Sequence, residues 1–226
     1  MDYLQIATEK YLTNNILPEH VWDISLDEFI MANFSHCDPN SRGTKFVKKL
    51  VKDSGGKIKK IGNQFKRDDV KIGNTYSEVK HPYLCRESKS FRITNIRPWQ
   101  DFATFIICLV DCEDKFRSHF FVIRKNDLLT HPLVRLDDQH SDKESAKENA
   151  KSNVKSNKVI DMKKERMLHV LNSVTLLRGT TYEDFVNYVK YIGVDTLDER
   201  IEFQFKPKRT YKKKQVNIKE QLDLTY

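Results

Sequence analysis

Asp69, Glu78 and Lys80 put two carboxylates and an amine within twelve residues, around a turn signal at Gly73 and Asn74. A two-residue turn there fixes a hairpin register in which Ile72 faces Thr75, Lys71 faces Tyr76, Val70 faces Ser77 and Asp69 faces Glu78. Opposed carboxylates repel unless a positive group lies between them. Strand alternation places Lys80 on the face of Glu78, and sends Val70, Ile72 and Val79 to the other face, where a core would take them. The charged cluster suits a hard divalent cation held by Asp69, Glu78 and the Val79 carbonyl, with Lys80 free to orient or deprotonate a water. That chemistry is metal-assisted phosphodiester hydrolysis. An acid-x-Lys triplet alone says little, because Asp69-Val70-Lys71, Glu113-Asp114-Lys115 and Asp161-Met162-Lys163 also fit it. Only Glu78-Val79-Lys80 follows a hairpin turn and an opposing acid. The plainer alternative is an exposed strand face with a paired lysine.

The elements that must hold these residues read as α/β. "SLDEFIMANF" (25–34) opens on a capping box of Ser25 and Glu28. Glu28 is also a possible third metal ligand, with capping as its stronger role. "DPNSRGTKFVKKLVKDSGG" (38–56) starts with Asp38 and Pro39, collects Phe46, Val47, Leu50 and Val51 on one face, and ends in two glycines. From 57 to 80 the period becomes two. Ser90 is expected to cap a short helix that Pro98 ends, serving as the crossover. "FATFIICLV" (102–110) reads as a strand covered on both faces, followed by a strand at "SHFFVIR" (118–124). The predicted organisation is one domain over 1–226: N-terminal helices (1–37), the core (38–136), a polar loop (137–158), and a helical and basic C-terminal segment (159–226).

Charge points to a polyanion. Forty Lys and Arg against 32 Asp and Glu leave +8, unevenly spread. Between Arg42 and Arg67 the only acid is Asp53, and this run supplies Lys45, Lys49, Lys57 and Lys60 as phosphate-contact candidates. Lys206, Lys208, Arg209 and Lys212 form a second basic stretch. Arg92, Asn95, Arg97 and Gln100 have side chains suited to base edges. No apolar run approaches a membrane span and no secretory signal is read at the N-terminus, so the expected location is the cytoplasm. The four cysteines lack zinc-knuckle spacing, with Cys108 and Cys112 read as buried thiols. Glycine-rich phosphate loops are absent, and no nucleotide cofactor is expected.

Asp69, the hairpin and Glu78-Val79-Lys80, set after a helix and a strand and before a crossover and a buried strand, resemble the PD-(D/E)XK nucleases, among them the type II restriction endonucleases. The likeness covers roughly residues 38–124, with Arg67-Asp68 rather than a proline preceding Asp69. It implies a restriction-endonuclease-like core: a helix, a three-stranded antiparallel meander, a crossover and further strands, with added N- and C-terminal helical segments. It also implies a Mg2+-dependent, sequence-specific endonuclease acting on double-stranded DNA as a homodimer and leaving 5′-phosphate and 3′-hydroxyl ends. Catalysis would fall to Asp69, Glu78 and Lys80, and metal binding to Asp69, Glu78 and Val79. The chain's size and its lysine-asparagine character are similar to those of members that cut an AT-rich palindrome. A non-catalytic DNA-binding protein and a resolvase or repair nuclease are the alternatives.

Overall fold

The computed structural model describes residues 24–34, 38–61, 69–139 and 157–191. The expectations for residues 1–23, for Arg67 and Asp68, and for Lys206, Lys208, Arg209 and Lys212 lie outside the described residues.

Helix α1 (Leu26–Phe34) begins at the expected capping box: the Ser25 amide donates to Glu28 Oε2 at 3.0 Å and the Glu28 amide to Ser25 Oγ at 3.3 Å. Glu28 is therefore engaged as a cap and solvent-exposed. In α2 (Pro39–Asp53) the Ser41 amide bonds Asp38 Oδ1 at 3.1 Å. The helix stops in a Schellman motif, with Gly55 and Gly56 at positive φ and their amides bonded to the Lys52 and Val51 carbonyls.

Strands β1 (Ile58–Lys60), β2 (Val70–Ile72) and β3 (Thr75–Lys80) form the antiparallel meander. Pairing of Ile72 with Thr75, Lys71 with Tyr76 and Val70 with Ser77 matches the register expected from the turn. Gly73 takes φ +57, as the first position of a type II′ turn requires. Strand β6 (Thr104–Asp111) lies parallel to β3, and β7 (Arg117–Arg124) antiparallel to β6, giving a mixed sheet in the order β1-β2-β3-β6-β7. All eight residues of β6 are buried, as a strand covered on both faces must be. Cys108 and Cys112 are both buried free thiols.

The crossover differs from the expectation. Residues Ser90–Ile96 form a strand, β5, in place of a short helix. Phe91 and Ile93 are buried while Arg92 between them is exposed, a period of two that overrides the capping signal at Ser90. With β4 (Leu84–Cys85), β8 (Asp137–Asp138) and β9 (Lys158–Lys163), β5 builds a second sheet in the order β4-β5-β9-β8. The expected loop over 137–158 thus carries strand residues at both ends. The C-terminal segment opens with a strand before its helices α4 (Lys164–Val174) and α5 (Tyr182–Tyr191). A short helix α3 (Lys125–Leu129) follows β7.

Two cores result. One face of the five-stranded sheet, with Val70, Ile72, Val79 and Ile106, packs on α1, α2 and α5. The other, with Phe105, Ile107 and Ile123, packs on β5, β9, α3 and α4. The molecule is α/β, and among the described residues no helix is long and apolar enough to cross a membrane.

Candidate functional site

Residues of β6 and β7 pack against the second sheet, and β3 adds the half-buried Tyr76 to that cluster, so β3 lies at its rim. Glu78 and Lys80 share the face of Phe105 and Ile107, their register partners, and so lie at this rim. Asp69 precedes β2, and its Oδ2 accepts the Val79 amide at 2.9 Å, taking the place of a strand partner. Within a strand residue the N–H and C=O point to the same edge, so the Val79 carbonyl faces the side where Asp69 sits. The hairpin therefore brings Asp69 within electrostatic reach of Glu78 and holds it on the main chain of Val79.

Lys80 Nζ donates to Glu78 Oε1 at 2.6 Å and to the Asn95 carbonyl at 3.0 Å. The second bond spans from the first sheet to the second. Asn95 occupies a β-bulge between Ile93 and Ile96 and adopts φ +54, a left-handed conformation that Asn tolerates better than most residues. An amide cluster holds it there. Its main-chain N–H donates to Gln139 Oε1, and its Oδ1 accepts from Gln139 Nε2 and Asn157 Nδ2, each at 3.2 Å. The Asn95 acceptor that a base contact would use is thus engaged.

Glu78 is 6 % exposed. Burial raises its carboxyl above the usual range; Lys80 opposes that shift, Asp69 adds to it, and Arg97 weakly opposes it. Arg97, exposed on the turn after β5, is thereby within electrostatic reach of Glu78. His81, next in sequence, turns away from this cluster. It stacks on Phe46 at 4.5 Å between centroids, with Nδ1 at 3.2 Å from the Cys108 carbonyl and Nε2 at 3.1 Å from the Tyr83 hydroxyl. Burial lowers its pKa to about 3, keeping it neutral.

Two expected nucleic-acid contacts are overturned by burial. Lys49 is 2 % exposed; it pairs with Asp53 at 2.8 Å and donates to the Ile24 carbonyl at 3.0 Å, joining α1 to α2. Gln100 is 6 % exposed, and its main-chain carbonyl accepts from Lys125 Nζ. Neither side chain reaches a surface where phosphate or base edges would lie. Lys60 pairs with Val70, which puts it on the helix-covered side of the sheet, opposite to Glu78. Lys45 is half-buried on α2 and Lys57 exposed before β1. Arg92 is exposed on β5 opposite Asp161.

The sequence reading missed Lys71, whose position opposite Tyr76 places it on the Glu78 face. The same register was the signal that could have found it. It also missed Gln139 and Asn157, which only the pairing of β8 with β9 brings near Asn95.

Two carboxylates and one carbonyl fit Mg2+, which binds through one or two carboxylates and keeps several waters. Among the described residues no group of three or more His, Cys, Asp or Glu is arranged to hold a metal. No protein-family model matches the chain, and no curated protein matches it.

Proposed function

We propose that the chain is a Mg2+-dependent endonuclease of the PD-(D/E)XK type, cutting double-stranded DNA at specific sequences as a homodimer. The observation that carries this reading is the convergence of Asp69, Glu78 and Lys80, with Asp69 on the Val79 amide and Lys80 on Glu78. The antiparallel meander continued by a parallel strand agrees with the core that the resemblance implies. A bound divalent ion would supply charge neutralisation at the phosphate and acidify a water. Asp69 and Glu78 would bind it through the carboxylate oxygens not used internally. Lys80, fixed between Glu78 Oε1 and the Asn95 carbonyl, would orient the attacking water and exchange its proton. Arg97, exposed and within electrostatic reach of Glu78, would steady a phosphate oxygen.

The test is plasmid incubated with purified protein and Mg2+, read on a gel. Discrete fragments that disappear in Glu78→Ala and Lys80→Ala proteins are expected. Undiminished cutting by either variant overturns the assignment. A non-catalytic DNA-binding reading draws on one observation: Lys80 is already satisfied by Glu78 and Asn95 without substrate. Intact plasmid together with salt-dependent DNA binding would favour it.

A further inference from the structure

Lys59 and Lys71 are direct cross-strand partners on β1 and β2. Such partners have Cβ atoms about 5 Å apart, and like charges there destabilise a sheet. Neither lysine has a carboxylate partner among the described residues. Lys71 is half-buried, with Nζ 5.4 Å from the centroid of the Tyr76 ring, and Lys59 is exposed. Alternation puts both on the sheet face that carries Glu78 and Lys80, and no residue of β1 or β2 joins the core that the second sheet forms against β6 and β7. Lys71 is diagonal to Glu78, a neighbour spacing of about 7–8 Å that places its ammonium beside the phosphate next to the one at Glu78. Two cations held side by side with no carboxylate partner among the described residues have the chemistry of an anion site.

We infer that Lys59 and Lys71 together bind a backbone phosphate flanking the phosphodiester that lies at Glu78 and Lys80. The nucleic-acid backbone then crosses the strands from β3 over β2 to β1, successive strands being about 4.8 Å apart. The identity of the neighbouring site rests on the nuclease reading; the anion chemistry of the pair does not. Lys59, on the edge strand β1, also discourages strand-to-strand association, and that role alone leaves affinity for nucleic acid unmoved.

The experiment compares wild-type, Lys59→Gln/Lys71→Gln and, as a control at the far end of β6, Lys115→Gln proteins. Binding to a duplex oligonucleotide is measured in Ca2+ over a KCl series, alongside thermal melts without DNA. The double variant is expected to flatten the log–log salt slope by roughly 1 to 2 units and to weaken binding at low salt at least tenfold. It is also expected to melt higher than wild type at low salt, by a margin that closes as salt rises, since the repulsion is removed. The control should match wild type in slope. An unchanged slope in the double variant overturns the inference, even if the wild-type protein cuts plasmid. A flattened slope with no cutting by wild type upholds the phosphate site and removes the nuclease reading instead. A wild-type protein that binds no duplex overturns the inference.

Discussion

Replacing Lys80 by Met removes an ammonium while keeping most of the side chain's length, and the cost should depend on pH. Glu78 and Lys80 side chains are 8 % and 11 % exposed, so the variant leaves a carboxylate desolvated beside Asp69. Glu78 escapes by taking a proton. From an ordinary value of 4.5, holding that proton at pH 7 costs at most about 3.5 kcal/mol, and at pH 5 under about 1 kcal/mol. The lost bond to the Asn95 carbonyl adds about 1 kcal/mol at either pH. The sign follows from the direction of the shift. A carboxyl whose folded value is raised contributes stability that is complete below its unfolded value and is lost as pH rises through the folded one. The Lys80→Met protein should therefore fall progressively behind wild type from about pH 4.5 upward. Urea unfolding in EDTA, followed by far-UV circular dichroism at pH 5 and pH 7, measures the deficit at both. A deficit of equal size at the two pH values, or none at pH 7, would refute the desolvated-carboxylate argument.

Three further outcomes are expected. Calcium at ten times its dissociation constant should stabilise the wild-type protein by about 1.4 kcal/mol in thermal melts, and Asp69→Asn or Glu78→Gln should abolish the effect; because burial raises the Glu78 carboxyl, the effect should fade on acidification at a pH above the usual carboxylate range. His81, held neutral with a value of about 3, contributes stability that is present above pH 6.5 and is lost by up to about 1.4 kcal/mol per unit as pH falls toward 3; His81→Phe should flatten that part of the stability–pH curve in chemical denaturation. Lys49→Met should cost about 1–3 kcal/mol in urea melts, since among the described residues Asp53 then keeps only the Tyr182 hydroxyl bond at 2.8 Å, and should leave the salt dependence of duplex binding unchanged.

The hairpin was legible because its information is local. A two-residue turn sets the register, and the register decides which face receives Val70, Ile72 and Val79 and which receives Glu78 and Lys80. The ends of α2 were legible for the same reason, through Asp38, Gly55 and Gly56. The second sheet was not, since β5 pairs with β9, whose residues follow roughly seventy positions later with no local mark of their partner. Ser90 and Pro98 were read as helix punctuation, although Phe91, Arg92 and Ile93 already alternate. Lys49 looked like one more member of a basic run. Its burial depends on the Ile24 carbonyl, 25 positions earlier, and on Asp53 one turn later. Lys71 was passed over because the basic run was taken to end at Arg67, while its significance comes from pairing with Lys59 across the strands.

The bond from Lys80 to the Asn95 carbonyl has a consequence for how the protein is made. Its donor belongs to the hairpin, while its acceptor sits on a strand held by β9, which closes at Lys163. A ribosome adding about 5–20 residues per second needs several seconds to travel from Lys80 to Lys163. During that interval the hairpin can form from its own local contacts, but the strand that fixes Lys80 still lacks its long-range partner. If the rim is a nuclease site, the nascent chain passes through this stage with its lysine unanchored, and the cleaving arrangement is completed only after Lys163 has been synthesised.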